Sequence, residues 1–271
     1  MGVLLSYSLA CSIVAVLLFP VLHQIVNRST SFRFNRFALL SGLFLILALP
    51  LMLKSVVASV SPNHAVVDIA ISEIVKNENI GNGNITPLSD DNRWMFAAVI
   101  IYFTGIMVFF LRELVAYVRL FRLVAHSEKT RHGRLVICRL GDSEIAPFSW
   151  GRYIFLHDAE LEKGEDCILL HEKAHTTKRH WIDILLADTI CIVLWYNPLL
   201  WLTRRLIKLN HEFEADSAVV RSGIKAYDYQ RLLVVKAIGK SAMPISNSFA
   251  ADKRSFRKRV LIMGKKRSSK R

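Results

Sequence analysis

Three long apolar runs dominate the first part of the chain, at residues 3–22, 37–60 and 94–111. Each run approaches or exceeds the ~18 to 20 residues that an α-helix needs to cross the hydrocarbon core of a bilayer. Lys54 is the only charged residue within the first two runs. This distribution of apolar positions predicts three membrane-spanning helices.

A fourth apolar stretch, residues 181–203, is also long enough to span a membrane. It carries Asp183 and Asp188, and the pair Asn197-Pro198 interrupts it. A full crossing would place the basic C-terminal segment outside the cell, against the rule that Lys and Arg remain on the cytoplasmic side. We therefore predict two helices broken near Pro198, either buried in a C-terminal domain or lying shallowly in the membrane face.

The basic charge of the chain is placed at the flanks of the apolar runs. The formal net charge is +14, a value that by itself would suggest nucleic-acid binding. The Lys and Arg residues concentrate, however, in residues 28–36, 112–134 and 253–271, whereas the loop 61–93 is net acidic. This distribution predicts that the N-terminus and the loop 61–93 lie outside and that everything after the third span is cytoplasmic. No direct nucleic-acid partner is expected.

Beyond the third apolar run the pattern changes to shorter elements. Residues 112–128 are predicted to continue the third helix, while residues 134–140 and 152–156 have the β-branched and aromatic content of a small sheet. Further helices are predicted from about Gly164 through residue 175, over 227–242 and over 252–263. The sequence past the membrane region therefore predicts a mixed α+β domain.

The segment His171-Glu172-Lys173-Ala174-His175 carries the clearest chemistry of the sequence. Two imidazoles four residues apart lie on one face of a helix, close enough to share one zinc ion. Glu172 then lies beside the metal, where a carboxylate can take the proton of a water molecule that attacks a peptide carbonyl. The spacing predicts a zinc peptidase, with Glu172 as the catalytic base.

A third metal ligand is needed, and its position distinguishes classes of zinc peptidase. The metzincin pattern requires Gly and His at positions occupied here by Lys178 and Trp181. A glutamate on a later helix is the alternative, and Glu212 and Asp216 share one helical face, whereas Glu214 is rotated about 200° from Glu212. We predict Glu212 as the third ligand and Asp216 as the group that orients a metal-binding histidine.

Other polar residues near these motifs receive weaker assignments. His211 is an alternative donor to Glu212, but adjacent helical residues point about 100° apart, so both are not expected on one metal. His180 and Asp183 could support the site, although a polar face of the helix is the favoured interpretation. The four cysteines show no close pairing and are interpreted as reduced packing residues.

Several motifs in this order resemble the BlaR/MecR-type antirepressor metallopeptidases. They follow the three apolar runs and comprise Pro147–Gly151, His171–His175, Trp195–Pro198 and Glu212–Asp216. The resemblance implies a bacterial plasma-membrane protein whose cytoplasmic zinc domain cleaves itself or a transcriptional repressor after an outer signal. It also implies His171, His175 and Glu212 as zinc ligands and Glu172 as the base.

The predicted fold class is a mainly α membrane protein with three N-terminal transmembrane helices and a cytoplasmic gluzincin-like α+β zinc peptidase domain. Residues 1–125 would form the transmembrane region, residues 126–250 the peptidase domain and residues 251–271 a basic cytoplasmic tail. Sensing members of the family add a further span and an outer penicillin-binding domain. Neither is found in these 271 residues, so β-lactam sensing is not predicted from them.

Two other functions remain open at this level. An HtpX-like quality-control or prenyl-protein peptidase would share the same metal chemistry, although the Trp195–Pro198 block favours the first family. A non-catalytic membrane anchor with a structural zinc is the other alternative, but such a site has no need of a base at Glu172. The expected partners are membrane lipid and a protein substrate, and the sequence does not predict an oligomeric state.

Overall fold

The computed structural model describes residues 2–60, 91–141, 145–158, 166–241 and 249–264. Most of these residues are helical, as predicted. The helices are α1 (Gly2–Arg28), α2 (Phe32–Val60), α3 (Asp91–His126), α4 (Asp166–Thr177), α5 (His180–Val193), α6 (Pro198–Arg221), α7 (Ala226–Ser241) and α8 (Phe249–Met263). Residues 61–90, which include nearly all of the predicted outer loop, lie outside the described residues.

The three N-terminal helices have the length and composition of membrane spans. The apolar segments are Tyr7–Arg28, Phe32–Leu53 and Phe96–His126. α1 and α2 pack as an antiparallel pair, in which Gly42 lies directly against the side chain of Leu22. α3 instead exposes apolar side chains along almost its whole length. Such a large exposed apolar surface is typical of contact with lipid.

A four-stranded sheet follows the end of α3. Its strands are β1 (Lys129–His132), β2 (Leu135–Arg139), β3 (Phe148–Trp150) and β4 (Tyr153–Leu156), in the spatial order β1-β2-β4-β3. β2 and β4 pair in parallel, and the outer pairs are antiparallel. Gly133 and Gly151 have φ of +60° in the tight turns that join each antiparallel pair, a conformation that favours glycine. The predicted small sheet is thus present.

The sheet lies between the end of α3 and the helix that carries the histidine motif. On one face Val136 and Phe155 pack against partly buried side chains of α3. On the other face Ile137 and Ile154 pack against Ile168 of α4. The alternation of side chains along β2 and β4 therefore supplies both faces with apolar contacts and fixes α4 against the sheet.

The apolar stretch 181–203 forms two helices, α5 and α6, with the break at the predicted position. Asn197 caps α6, because its side-chain oxygen accepts a hydrogen bond from the backbone N–H of Leu199 at 3.0 Å, and Pro198 occupies the first helical position. α5 and α6 join α1 and α2 in one continuous apolar core. The C-terminal domain and the N-terminal helices therefore share a core.

The predicted boundary between the peptidase domain and a basic tail lies at residues 250 and 251. It falls inside α8, which packs on the domain. Gln230 of α7 donates to the backbone oxygen of Val260 at 3.0 Å, and Lys258 donates to the side-chain oxygen of Asn27 at 2.9 Å. The amphipathic character of α8 reflects this packing and not a solvated tail.

We expect Asn197→Ala to lower the free energy of unfolding by about 1 kcal/mol, because the first turn of α6 loses its cap. Asn197→Ser keeps a neutral acceptor oxygen at the cap position and is expected to retain most of that stability. Thermal unfolding of the full chain in detergent measures both variants. Equal losses in the two variants would contradict a capping role.

Candidate metal centre

Three side chains converge between α4 and α6. His171 Nε2 and His175 Nε2 lie 3.2 Å apart, and Glu212 places its carboxylate oxygens 3.5 Å from His171 Nε2 and 3.7 Å from His175 Nε2. One donor atom from each residue lies within 4.8 Å of the others. Ligands of a tetrahedral zinc ion, at about 2.0 to 2.1 Å from the metal, are separated by roughly 3.3 Å. The donor set therefore fits such an ion.

Asp216 lies one helical turn beyond Glu212 and faces the other side of His171. Its carboxylate oxygen is 3.2 Å from His171 Nδ1, opposite the nitrogen that points to the cluster. The hydroxyl of Tyr229, from α7, lies 2.9 Å from the same Nδ1 and donates to Asp216 at 2.9 Å. These contacts fix the orientation of the His171 ring. Tyr229 was not predicted, because the sequence identified residues 227–242 only as a helix.

A different set of residues supports His175. Its Nδ1 lies 2.8 Å from Nδ1 of His180. His180 Nε2 in turn lies 3.2 Å from a carboxylate oxygen of Glu214, whose other oxygen pairs with Lys178 Nζ at 3.2 Å. Glu214 points away from Glu212 on the helix, and for this reason it was not predicted as a ligand. The same direction brings its carboxylate to His180.

His180 and Asp183 do not form a polar surface face, which was the favoured interpretation from the sequence, since both are buried. The His211 ring stacks parallel on His180 at a centroid distance of 4.0 Å and lies 2.8 Å from Asp183 through its Nε2. Asp183 also pairs with Arg36 of α2 at 2.7 Å. His211 is therefore not one of the donors. It connects His180, through Asp183 and Arg36, to α2.

Glu172 is also buried, with 8% of its surface exposed, and points toward the strand β3. Burial raises the pKa of its carboxyl, while the charge of His171 and a hydrogen bond with Ser149 oppose the shift. A carboxylate whose pKa is raised takes up a proton more readily than an ordinary glutamate. Its environment suits a general base.

The carboxylates in and around the donor cluster stabilise positive charge there. Burial lowers the pKa of His171, but hydrogen bonds with Asp216 and Glu212 outweigh it and raise the pKa to about 10. Burial raises the pKa of Glu212, yet Arg259 and the two histidines hold it well below its usual range. Without a metal, one imidazole thus carries a proton among these carboxylates. A divalent cation would replace that proton.

Arg259 of α8 supplies the permanent positive charge of this region. It binds Asp216 with two nitrogens, at 2.7 and 2.8 Å, and reaches a Glu212 oxygen with Nη1 at 2.8 Å. Because Asp216 is only 1% exposed, its charge depends on this partner. Arg259 was not predicted, because no pattern in the sequence distinguishes it from the other basic residues of the predicted tail.

Comparison with known proteins agrees with this arrangement. Residues 151–263 match the family described as BlaR1 peptidase M56. The chain is also 30% identical over 94 residues to the Regulatory protein BlaR1 of Staphylococcus aureus. Residues 151–263 are therefore similar to the BlaR/MecR-type family. The second match covers 32% of this chain and 16% of the relative.

This BlaR/MecR-type assignment indicates a membrane-associated peptidase, and a family of metallopeptidases implies a metal. The matched segment runs from the turn before β4 to the end of α8. It therefore contains the three donor residues and Glu172, together with Tyr229 and Arg259. The residues that support the donor cluster thus belong to the same unit as the donors themselves.

We expect the affinity for zinc to rise with pH between pH 6 and 8. His171 is protonated in the metal-free site up to its pKa of about 10, so metal binding must release that proton, and affinity is expected to rise up to about tenfold per pH unit. Calorimetry in buffers of different ionisation enthalpy counts the released protons. Zinc binding without proton release over this range would contradict the proposed charge state.

We expect Arg259→Ala to lower the stability of the folded domain by ~3 to 5 kcal/mol, because it removes the permanent positive partner of the buried Asp216 carboxylate. The double variant Arg259→Ala/Asp216→Asn should recover part of that loss. Arg257→Ala, an exposed position on the same helix, is the matched control and should unfold like the natural chain. Thermal unfolding in detergent distinguishes these outcomes, and equal behaviour of both single variants would contradict the role of Arg259.

Proposed function

We propose that this chain is a membrane-anchored zinc endopeptidase with a gluzincin-like domain, in which His171, His175 and Glu212 hold the metal. The observation that supports the proposal is the convergence of these three donors at separations suited to one tetrahedral ion. Glu172, buried and adjacent to His171 in α4, is the group that we propose as the catalytic base. A structural zinc site would have no use for such a group.

A zinc ion bound here would act as a Lewis acid for water and for the peptide carbonyl. Glu172 takes a proton from the attacking water and later delivers a proton to the leaving amine. Burial raises the pKa of its carboxyl and so makes the carboxylate a stronger base toward the water proton. Ser149 holds Glu172 from the β3 side, where the substrate would lie.

The residues behind the donors keep them in place during this reaction. Asp216 and Tyr229 hold the ring of His171, while His180 and Glu214 hold the ring of His175. Each contact uses the ring nitrogen that does not face the cluster. Such contacts fix the tautomer and the direction of each ligand, and their loss commonly weakens metal binding ~10 to 100-fold.

The strand β3 offers a binding edge for the substrate. It is the last strand of the sheet, so its outer edge has no partner strand among the described residues, and it packs beside α4. An extended peptide can add to such an edge through backbone hydrogen bonds. Because Ser149 of β3 contacts Glu172, a peptide on this edge would pass close to the base. We therefore propose an extended protein segment as the substrate.

We further propose that the enzyme acts in signal transduction and cleaves a transcriptional repressor or itself. The similarity to a regulatory BlaR1 protein supports this role more than quality control of the HtpX type. The placement of Lys and Arg at the flanks of the spans supports an outer N-terminus and a cytoplasmic peptidase domain in a bacterial plasma membrane. Direct binding to nucleic acid is no part of this role.

We expect Glu172→Gln to retain about one zinc per chain and to reduce peptide cleavage by at least ~10²-fold, because the variant loses only the base. Metal content follows from elemental analysis of the purified chain. Cleavage is measured on unfolded casein and by mapping new protein N-termini in cells that express the chain. Glu128→Gln, at a highly exposed position, is the matched control.

Two outcomes would overturn the proposal. Unchanged cleavage by Glu172→Gln would exclude the mechanism. A natural chain that binds zinc but yields no new N-termini in cells and no casein fragments would support the non-catalytic alternative.

A further inference from the structure

One face of α5 remains exposed although the helix contributes to the central core. Ala187, Ile190 and Cys191 are buried, whereas Ile182, Leu185, Leu186 and Val193 on the other side are 40% to 46% exposed. These four exposed residues recur at helical spacing and form one apolar stripe. A stripe of this kind requires an apolar partner.

The far end of the α5–α6 hairpin, residues 193–197, packs against the centre of α3. Trp195 donates from its indole nitrogen to the backbone oxygen of Tyr102 at 3.2 Å, and the hydroxyl of Tyr102 donates to the backbone oxygen of Val193 at 2.9 Å. The Trp195 ring lies so close to Gly105 that a Cβ there would be 2.1 Å from it. Both α3 residues lie well inside the apolar segment Phe96–His126.

The same end of the hairpin also contacts α1 at a comparable depth. The Ser8 hydroxyl donates to Tyr196 at 2.5 Å, and Asn197 donates to the Ser12 hydroxyl at 3.4 Å. Two separate helices, α1 and α3, therefore place residues 193–197 beside residues inside their apolar segments. Where those spans cross a bilayer, the end of the hairpin lies inside it.

We propose that α5 and α6 form a re-entrant hairpin that enters the bilayer from the side of the peptidase domain and exposes the α5 stripe to lipid acyl chains. The proposal rests on the membrane-spanning arrangement of α1 and α3, and not on peptidase activity. At 1.5 Å per helical residue, the contacts at Gly105 and Tyr102 lie about 10 and 15 Å along α3 from Arg112, and the contact at Ser12 lies about 16 Å along α1 from His23. In a hydrocarbon core of ~30 Å the hairpin end reaches roughly the middle.

Several polar groups at the end of the hairpin form hydrogen bonds within the protein, as a position inside a bilayer requires. The backbone N–H groups of Leu194 and Asn197 donate within the turn at 2.9 and 3.0 Å, and the indole of Trp201 donates to the backbone oxygen of Trp195 at 3.1 Å. Non-helical backbone is tolerated at membrane depth when protein groups satisfy it. The buried pair Asp188–Arg204 joins the two helices nearer the base of the hairpin, so neither charge faces lipid unpaired.

Lipid exposure of the stripe is testable with spin labels in the full chain reconstituted in phosphatidylcholine and phosphatidylglycerol vesicles. The four natural cysteines are replaced by alanine, and single cysteines are introduced as Leu186→Cys and Val193→Cys. Phe103→Cys on exposed α3 is the lipid reference, and Arg131→Cys on exposed β1 is the water reference. We expect both stripe positions to resemble Phe103→Cys, with higher accessibility to oxygen than to a water-soluble nickel complex.

A second measurement needs no substitution and covers the case in which the labelled variants fail to fold. The natural chain is reconstituted with a phospholipid that carries a photoactivatable diazirine in its acyl chain, and the modified peptides are mapped by mass spectrometry. We expect labelling of residues 182–193 at a level similar to residues 96–111. Absence of acyl-chain labelling there, or water-like accessibility at Leu186→Cys and Val193→Cys, would overturn the proposal. Coverage of the stripe by a second copy of the chain would produce that unlabelled result.

Discussion

The structure depends on the compensation of two carboxylates on α6. Glu212 is half-buried and Asp216, one turn further on, is fully buried, and an isolated charge in the place of Asp216 would cost several kcal/mol. His171, Arg259 and Tyr229 approach them from three other helices. The need to neutralise these two groups therefore brings α4, α7 and α8 together around α6. A metal ion among the donors would satisfy the same need.

The helix α6 also connects the N-terminal helices to the donor cluster. α6 begins in the apolar core shared with α1 and α2 and ends beyond the donor cluster. Its rise of about 1.5 Å per residue puts Glu212 roughly 22 Å from Asn197. With the hairpin end near the middle of the bilayer, as proposed above, the cluster lies close to the membrane surface, on the side of the sheet. A substrate would be cut near the membrane, a consequence that rests on the proposed function.

The sequence predicts those parts of this structure that depend on local periodicity. The apolar runs identify α1 to α3, Pro198 marks the break between α5 and α6, and four-residue spacing brings Glu212 and Asp216 to one face. Contacts between distant elements were not predictable in this way. Arg259 is one of many basic residues near the C-terminus, and only the packing of α8 brings it to Asp216. From the sequence, His180 and Asp183 were interpreted as a polar helix face. They are buried, but helical spacing does not reveal which other elements cover a polar face.

The two donor histidines are held in place by different parts of the chain. The distance between them therefore depends on how those parts are positioned. His171 is fixed by α7 and α8 through Tyr229 and the Asp216–Arg259 pair, whereas His175 is fixed by His180. His180 stacks on His211, which is tied through Asp183 to Arg36 at the start of α2. The separation of the two imidazoles therefore depends both on the C-terminal helix and on a membrane helix. A displacement of α2 relative to α8 would act directly on the donor geometry, because rigid packed elements transmit such shifts without absorbing them.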